Sequence, residues 1–310
     1  MTVKAASAHL RAAIDLGTNT CLLLIGEWDT AKGQIARVLE DHSTTVRLGQ
    51  GVDQARMLQP EAQARTVACM RQYAERVRAV GLDPASTTCV ATSQARDARN
   101  GPEFFAELEQ ETGFKFRTIS GDDEARLTFR GGMLPGMDPV SAVVIDIGGG
   151  STELMGLAGG QSLDIGSVRF TERFLKSDPV TDEQFWACQD AIDAELTRLW
   201  DWRKALPQGT QLLAVAGTAT SLAQWHLDLR EFDAAAIDGT VLTRGDVHRM
   251  AEELKWRTTA ERSALPGVGP GRADILLAGA LILWRAMELL RFGELRVSTR
   301  GLRFGILGGV

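Results

Sequence analysis

At 310 residues the chain is longer than one hydrophobic core usually grows, so two domains are expected. Its 44% hydrophobic and 24% charged residues are those of an ordinary globular protein, which excludes disorder and fibrous repeats. The net charge of −6 excludes a generally basic, nucleic-acid-binding surface, yet the cations are mostly Arg, whose planar fork suits a local phosphate site.

The N-terminal MTVKAASAHLRAAIDL has no long apolar core followed by a small-residue cleavage pattern, so no secretion leader is expected. Cys21, Cys69, Cys89 and Cys188 are scattered, with no CxxC and no His at metal spacing, which points to core thiols in a reducing cytoplasm. Two apolar runs, Ala12 to Leu16 and Cys21 to Ile25, read as strands joined by a glycine turn. A helix is predicted from Pro60 to Val80, where Val67, Met70, Ala74 and Val77 recur at three- and four-residue spacing. The strand Thr87 to Ala91 enters the loop Thr92 to Asp97. Asn100 reads as the N-cap of a helix running to about Gln110, with Pro102 in its first turn. The strand Phe114 to Ile119 ends at Ser120-Gly121-Asp122-Asp123-Glu124, where the next helix begins.

The Gly- and Pro-rich stretch 131–138 is the best linker. After it the opening pattern returns: the strand Ala142 to Ile145, then Asp146-Ile147-Gly148-Gly149-Gly150-Ser151-Thr152, then Leu154 to Leu157. This matches Asp15-Leu16-Gly17-Thr18-Asn19-Thr20 and suggests an internal duplication. A long helix from about Thr181 to Ala205 follows, then a strand, Gln211 to Val215, and a third glycine turn, Ala216 to Thr220, which opens a helix to about Leu227. The apolar run Ile275 to Trp284 is too short to span a bilayer and is flanked by Asp274, Arg285 and Glu288, so the helix near Arg272 to Leu290 is expected to be buried and no membrane contact is expected. A strand, Glu294 to Val297, and a short helix from Gly301 close the chain. The class is α/β, with domains at 1–134 and 135–310 and the helix near 300–310 a candidate to join the first.

Three glycine turns, each leaving an apolar strand and each carrying Thr or Ser, meet the needs of a phosphate cradle: glycine lets backbone N–H groups approach oxyanions, and hydroxyls add hydrogen bonds without charge. Asp146, with Glu153 just past its turn, is suited to hold Mg²⁺ or another divalent cation directly or through water. Asp15 has two readings, a bond to the amides of its own turn or a metal-linked role. Glu124 sits in the first turn of its helix beside Asp122 and Asp123, which serve the helix dipole; crowding by anions would raise its proton affinity and suit it as a general base for water. Arg96, in a loop after a strand, reads as a clamp on a transferring phosphoryl group. There is no G-x-x-x-x-G-K-[ST], no G-x-S-x-G, and Gly267-Val268-Gly269-Pro270-Gly271 misses the dinucleotide spacing. His9, His42, His226 and His248 form no triad pattern, and Trp186, Trp200 and Trp284 read as packing on helices.

The segments Ala13 to Thr20, Arg47-Leu48-Gly49, Ala91-Thr92-Ser93 to Arg96-Asp97-Ala98, Ser120-Gly121 to Arg126, Asp146 to Glu153, Gly217-Thr218 and Gly301-Leu302-Arg303, taken in order, resemble the exopolyphosphatase and guanosine pentaphosphate phosphohydrolase family. The resemblance implies two actin-like (ribonuclease H-like) domains, each a mixed five-stranded sheet flanked by helices, with the site in the interdomain cleft. It implies that Glu124 is the base acting on water, that Asp146 and Glu153 take Mg²⁺, with Asp15 nearby, and that Arg96 clamps phosphate. Gly17, Thr18, Asn19, Thr20 and Arg47 would form one phosphate cradle, and Gly148, Gly149, Gly150, Ser151, Gly217 and Thr218 the others. Longer members carry further C-terminal helical domains, so this chain reads as a short form; Phe304 stands where the family frequently has Glu. The expected protein is a cytoplasmic homodimer that releases orthophosphate from inorganic polyphosphate. Guanosine pentaphosphate is a second substrate reading, a kinase or ATPase of the same fold is the rival class, and a non-catalytic polyphosphate binder is the third.

Overall fold

The structure, a computed structural model, describes residues 8–309; Val310 and residues 1–7 of the stretch read for a leader lie outside the described residues. The described chain divides into two compact units, one running to Gly131 and resuming at Leu302, the other spanning Gly132–Gly301.

In the first unit β1 (Ala8–Leu16) and β2 (Thr20–Asp29) form an antiparallel hairpin, with Leu16 opposite Cys21, and β3 (Gln34–Thr45) adds to its edge. After α1 (Val52–Ala55) and α2 (Pro60–Ala79), β4 (Thr88–Ala91) pairs parallel to β1. Then α3 (Ser93–Asp97), α4 (Gly101–Thr112), β5 (Phe116–Thr118), parallel to β4, and α5 (Gly121–Gly132) follow. The strand order is β3-β2-β1-β4-β5.

Strand alternation divides the core in two. Ile14, Leu16, Leu23 and Ile25 pack with Cys69, Met70 and Val77 of α2 and Phe104 and Leu108 of α4. The intervening Ala13 and Leu24 join Val90, Leu127 of α5, and Leu302, Ile306 and Leu307 on the other face. Asn100 precedes α4, but its side chain does not cap it; it is spent on the backbone of Leu58, donating to the carbonyl at 3.1 Å and accepting from the N–H at 2.8 Å.

The second unit repeats the plan. β6 (Ala142–Ile147), β7 (Thr152–Gly156) and β8 (Gly159–Leu163) run antiparallel to one another in turn, followed by α6 (Ser167–Phe174), α7 (Asp182–Leu196) and α8 (Trp200–Ala205). β9 (Gln211–Val215), parallel to β6, leads into α9 (Ala216–His226), α10 (Ala234–Ile237), β10 (Val241–Thr243), α11 (Arg244–Trp256), α12 (Thr259–Ser263) and α13 (Leu276–Leu289). β11 (Glu294–Val297) pairs parallel to β9. The sheet order is β10-β11-β9-β6-β7-β8, so this sheet has six strands, not the expected five. The sixth, β10, pairs antiparallel with β11, with Leu242 fully buried and Thr243 already the N-cap of α11 through a capping box. The helix expected over 181–205 is broken by a 3₁₀ turn at Thr197–Leu199. α13 is buried along most of its length, the four cysteines are buried thiols, and no helix among the described residues is long and apolar enough to cross a membrane. Trp186 does not pack in the core as expected but is 56% exposed.

The last helix, α14 (Leu302–Leu307), belongs to the first unit. Arg303 gives Nε and Nη2 to the two carboxylate oxygens of Asp41 on β3, at 2.7 and 2.8 Å. Gly305 lets α14 lie against α5, since a Cβ there would stand 2.0 Å from the carbonyl oxygen of Leu127. Gly305→Val is therefore expected to lower stability by roughly 3 kcal/mol or more, the scale of core overpacking against rigid backbone. An unchanged denaturant midpoint would show that α14 is not part of this core.

Candidate active site

The glycine turns of the two units share one geometry. Gly17 donates its N–H to the carbonyl of Thr20 at 2.9 Å, and Gly148 donates to that of Ser151 at 3.0 Å. In both, a Cβ would press on that same acceptor, at 3.2 and 3.1 Å, which is why glycine opens each turn.

The first turn is braced from behind. Thr18 donates its hydroxyl to Gln94 Oε1 at 3.1 Å, while Gln94 Nε2 donates to the Leu16 carbonyl at 2.6 Å. The Asn19 carbonyl accepts from the amides of Val46 and Arg47, and Arg47 takes a left-handed backbone, φ 51°, to reach it. Gly49 N–H closes on the Thr18 carbonyl at 2.8 Å, and a Cβ at Gly49 would fall 2.2 Å from Thr18 Cγ2. Thr18 and Asn19 are buried, so their side chains hold the turn, and Gly17 and Thr20 are its more accessible members.

In the second unit the turn's carbonyls are taken by the start of α6. Gly148 O accepts from Ser167 N, Gly149 O from Val168 N and Arg169 N, and Gly150 O from Arg169 Nε at 2.7 Å. Gly166 permits this approach, since a Cβ there would lie 2.4 Å from Gly149 O. Among the described residues no backbone carbonyl takes the amides of Gly149, Gly150 or Ser151. A loop whose carbonyls are satisfied on one side and whose amides are not is a ready anion cradle.

Asp146 and Glu153 are directly opposed in the β6–β7 register and so share a face. Glu153 is buried, and Ser162 donates to its Oε1 at 2.7 Å. In the first unit the residue opposite Asp15 is Leu22, so the carboxylate pair is not repeated there. No group of three metal-binding side chains lies together among the described residues. Two hard oxygen ligands on one face fit Mg²⁺, which keeps several waters and binds through one or two carboxylates plus phosphate oxygens.

Glu124 and Arg96 are brought together by the parallel pair β4 and β5, whose C-terminal ends lead to α3 and α5; loops at such ends are where ligands of open α/β sheets bind. Arg96 Nη1 donates to Glu124 Oε2 at 2.8 Å and to the Ile119 carbonyl at 2.9 Å. Ser120 Oγ accepts from the Asp123 N–H at 3.1 Å and donates to Asp123 Oδ2 at 2.8 Å, capping the start of α5, and the Glu124 N–H donates to the Ser120 carbonyl. Burial raises the Glu124 carboxyl above the ordinary glutamate value, against the opposing pull of the Arg96 charge and hydrogen bond. In this structure Arg96 serves the carboxylate first.

At the third turn Ala216 takes φ 63° and Thr218 is buried against Gly279 of α13. Gly217 supports a residue that the sequence reading passed over: its missing Cβ would stand 1.7 Å from Arg272 Nη1. Arg272 is thus a cation at the N-terminal end of α9, and burial lowers its proton affinity. The signal was the run Gly267 to Gly271, read only for its missing dinucleotide spacing.

These features define an α/β protein of the actin-like two-domain fold, with a glycine turn after the first strand of each sheet and a buried carboxylate held by an arginine. The chain belongs to the Ppx/GppA phosphatase family, whose model matches residues 29–310. It is 34% identical to exopolyphosphatase 2 of Mycobacterium tuberculosis, over 95% of this chain and 96% of that protein. It is 32% identical to the bifunctional 3-dehydroquinate synthase/phosphatase of Fusobacterium nucleatum, over 97% of this chain but 46% of the relative, so it spans under half of that protein's length. The structure of an exopolyphosphatase from Cytophaga hutchinsonii superimposes with a TM-score of 0.86 at 25% identity, covering 96% of each chain.

A carboxyl whose folded pKa is raised contributes stability while protonated and loses it as pH rises through that pKa. Glu124→Gln is therefore expected to be more stable than the parent chain at neutral pH, the gap narrowing as pH falls toward about 4, the ordinary glutamate range. Denaturation midpoints across that range check this, and a gap that widens on acidification would refute the sign.

Proposed function

We propose that the chain is an exopolyphosphatase, releasing orthophosphate from the end of inorganic polyphosphate by direct attack of water. The observation that carries this reading is Glu124, a buried carboxylate whose proton affinity is raised and one of whose oxygens is fixed by Arg96. With Oε2 engaged, Oε1 accepts the proton of the attacking water. The water oxygen bonds to the terminal phosphorus, the bond from that phosphorus to the bridging oxygen breaks, and the bridging oxygen leaves with the shortened chain. Arg96 keeps Nε and Nη2 for phosphate oxygens, so it orients the base and meets the transferring group.

Phosphates are assigned to the amides of Gly148, Gly149, Gly150 and Ser151, to Gly17 and Thr20, and to Gly217 with Arg272. Thr18, Asn19 and Arg47 hold the first turn, and Thr218 the third. Mg²⁺ is assigned to Asp146 and Glu153; when bound it neutralises phosphate charge. Asp15, opposite Leu22, is assigned to its turn and to bound water rather than to direct ligation.

Polyphosphate is favoured over guanosine pentaphosphate because every assigned contact is to phosphate and none is to a base. The reading extends to a cytoplasmic homodimer, which the buried thiols support only as to compartment. Sedimentation at the mass of one chain would remove the dimer from it.

Phosphate release from polyphosphate, guanosine pentaphosphate and ATP separates the classes. The parent chain is expected to act on polyphosphate, and Glu124→Gln to lose about 10²-fold or more, the usual contribution of a general base. Release by Glu124→Gln at the parent rate would overturn the assignment, and consumption of ATP only in the presence of an acceptor would favour a kinase. Chelation with EDTA is expected to abolish release and Mg²⁺ to restore it; activity indifferent to EDTA would remove the metal. Because the base works deprotonated and its pKa is raised, activity should fall on the acid side at a pH above the ordinary glutamate range. A pH–rate profile flat down to about 4 would contradict that.

A further inference from the structure

We propose that Ser162 is a positioning residue for the divalent cation: its hydroxyl fixes the carboxylate of Glu153 in the orientation that the cation requires. The inference rests on the assignment of Mg²⁺ to Asp146 and Glu153 made above. Asp146 on β6 is directly opposite Glu153 on β7, and Glu153 is directly opposite Ser162 on β8. The three side chains therefore form one row on one face of the sheet. Ser162 Oγ donates to Glu153 Oε1 at 2.7 Å, the short distance of a hydrogen bond to an ionised acceptor.

The row depends on the register of β8, a five-residue strand at the edge of the sheet. A slip of one residue would turn Ser162 to the opposite face, away from Glu153. Several contacts hold the register. Gly160 lies so close to β7 that a Cβ would stand 1.9 Å from the Leu154 carbonyl oxygen, so only glycine fits there. The Trp202 indole donates to the Gly159 carbonyl at 3.0 Å, and Thr152 donates its hydroxyl to the Ile165 carbonyl at 2.6 Å.

Glu153 is 2% exposed, so water does little to hold its carboxylate and a donor from the protein takes that part. The donor is neutral. An arginine or lysine in its place would neutralise the carboxylate and compete with the cation for it; a hydroxyl orients the group and leaves its charge to the metal. The first unit supplies a comparison within the same chain. Its matching row is Asp15, Leu22 and Ser43, in the same order across β1, β2 and β3. The serine recurs, but leucine stands between it and the aspartate, so Ser43 meets no carboxylate in that row. Of the two rows, only the one to which the cation is assigned pairs its serine with a glutamate.

The test reads metal binding rather than turnover. Mn²⁺ is titrated into the full chain with inorganic phosphate present, and the free ion is followed by its paramagnetic resonance signal. Ser162→Ala is expected to weaken Mn²⁺ about tenfold, the scale of losing a hydrogen bond to a metal-binding carboxylate, while Ser162→Thr, which keeps the hydroxyl, retains it. Ser43→Ala should bind as the parent does. Ser162→Ala added to Glu153→Ala should weaken binding no further than Glu153→Ala alone, because the serine acts through the glutamate. Parent affinity in Ser162→Ala, an equal loss in Ser162→Thr or Ser43→Ala, or a further loss in the double variant each overturns the proposal. Parent affinity in Glu153→Ala would instead remove the metal assignment, and this inference with it.

Discussion

The candidate site depends on how the backbone of Gly148, Gly149 and Gly150 satisfies itself. Three successive carbonyls are consumed by the amides of Ser167, Val168 and Arg169 and by the Arg169 guanidinium. Buried carbonyls left unsatisfied would each cost on the order of 1–3 kcal/mol, so this arrangement fixes the direction in which the turn's amides point. Everything around the turn follows: Gly166 must lack a side chain, Arg169 must be buried, and β7 must leave the turn in a register that sets Glu153 opposite Asp146. The first unit reaches the same turn with other means, using the Val46 to Gly49 segment and Gln94 as braces.

Glu124 shows the opposite economy. Its carboxylate is held away from water, with a single arginine as charged partner, and burial outweighs that partner in setting its proton affinity. A group placed this way is costly to the fold and useful to chemistry, the pattern expected where stability has been given up for function. Arg96 reduces the cost without cancelling it, because the same nitrogen that meets Glu124 also serves the Ile119 carbonyl.

Most of this was legible in the sequence, because strand-end Asp residues followed by Gly and hydroxyl residues leave a strong local pattern, and Glu124 sits at a clear strand-to-helix junction. The rest depends on tertiary contacts. β3 escaped because, as an edge strand, it is mostly exposed on both faces and has no apolar alternation to read. β10 has three residues, too few for any period. The break at Thr197 lies inside a continuous helical pattern, and Asn100 has the chemistry of a cap but spends it on Leu58. Arg272 was hidden because its role is defined by Gly217, far away in sequence, where the absence of a side chain makes room for it.

The first unit is discontinuous: its second core face, built on Ala13, Leu24 and Val90, is completed by Leu302, Ile306 and Leu307. A chain emerging from the ribosome therefore presents that face uncovered while the whole of 132–301 is still being made. The second unit, continuous in sequence, can finish folding first. The order of synthesis is thus the reverse of the order of completion, and the half-built first sheet, with α14 not yet available, is the stage at which this protein most needs shielding from other chains.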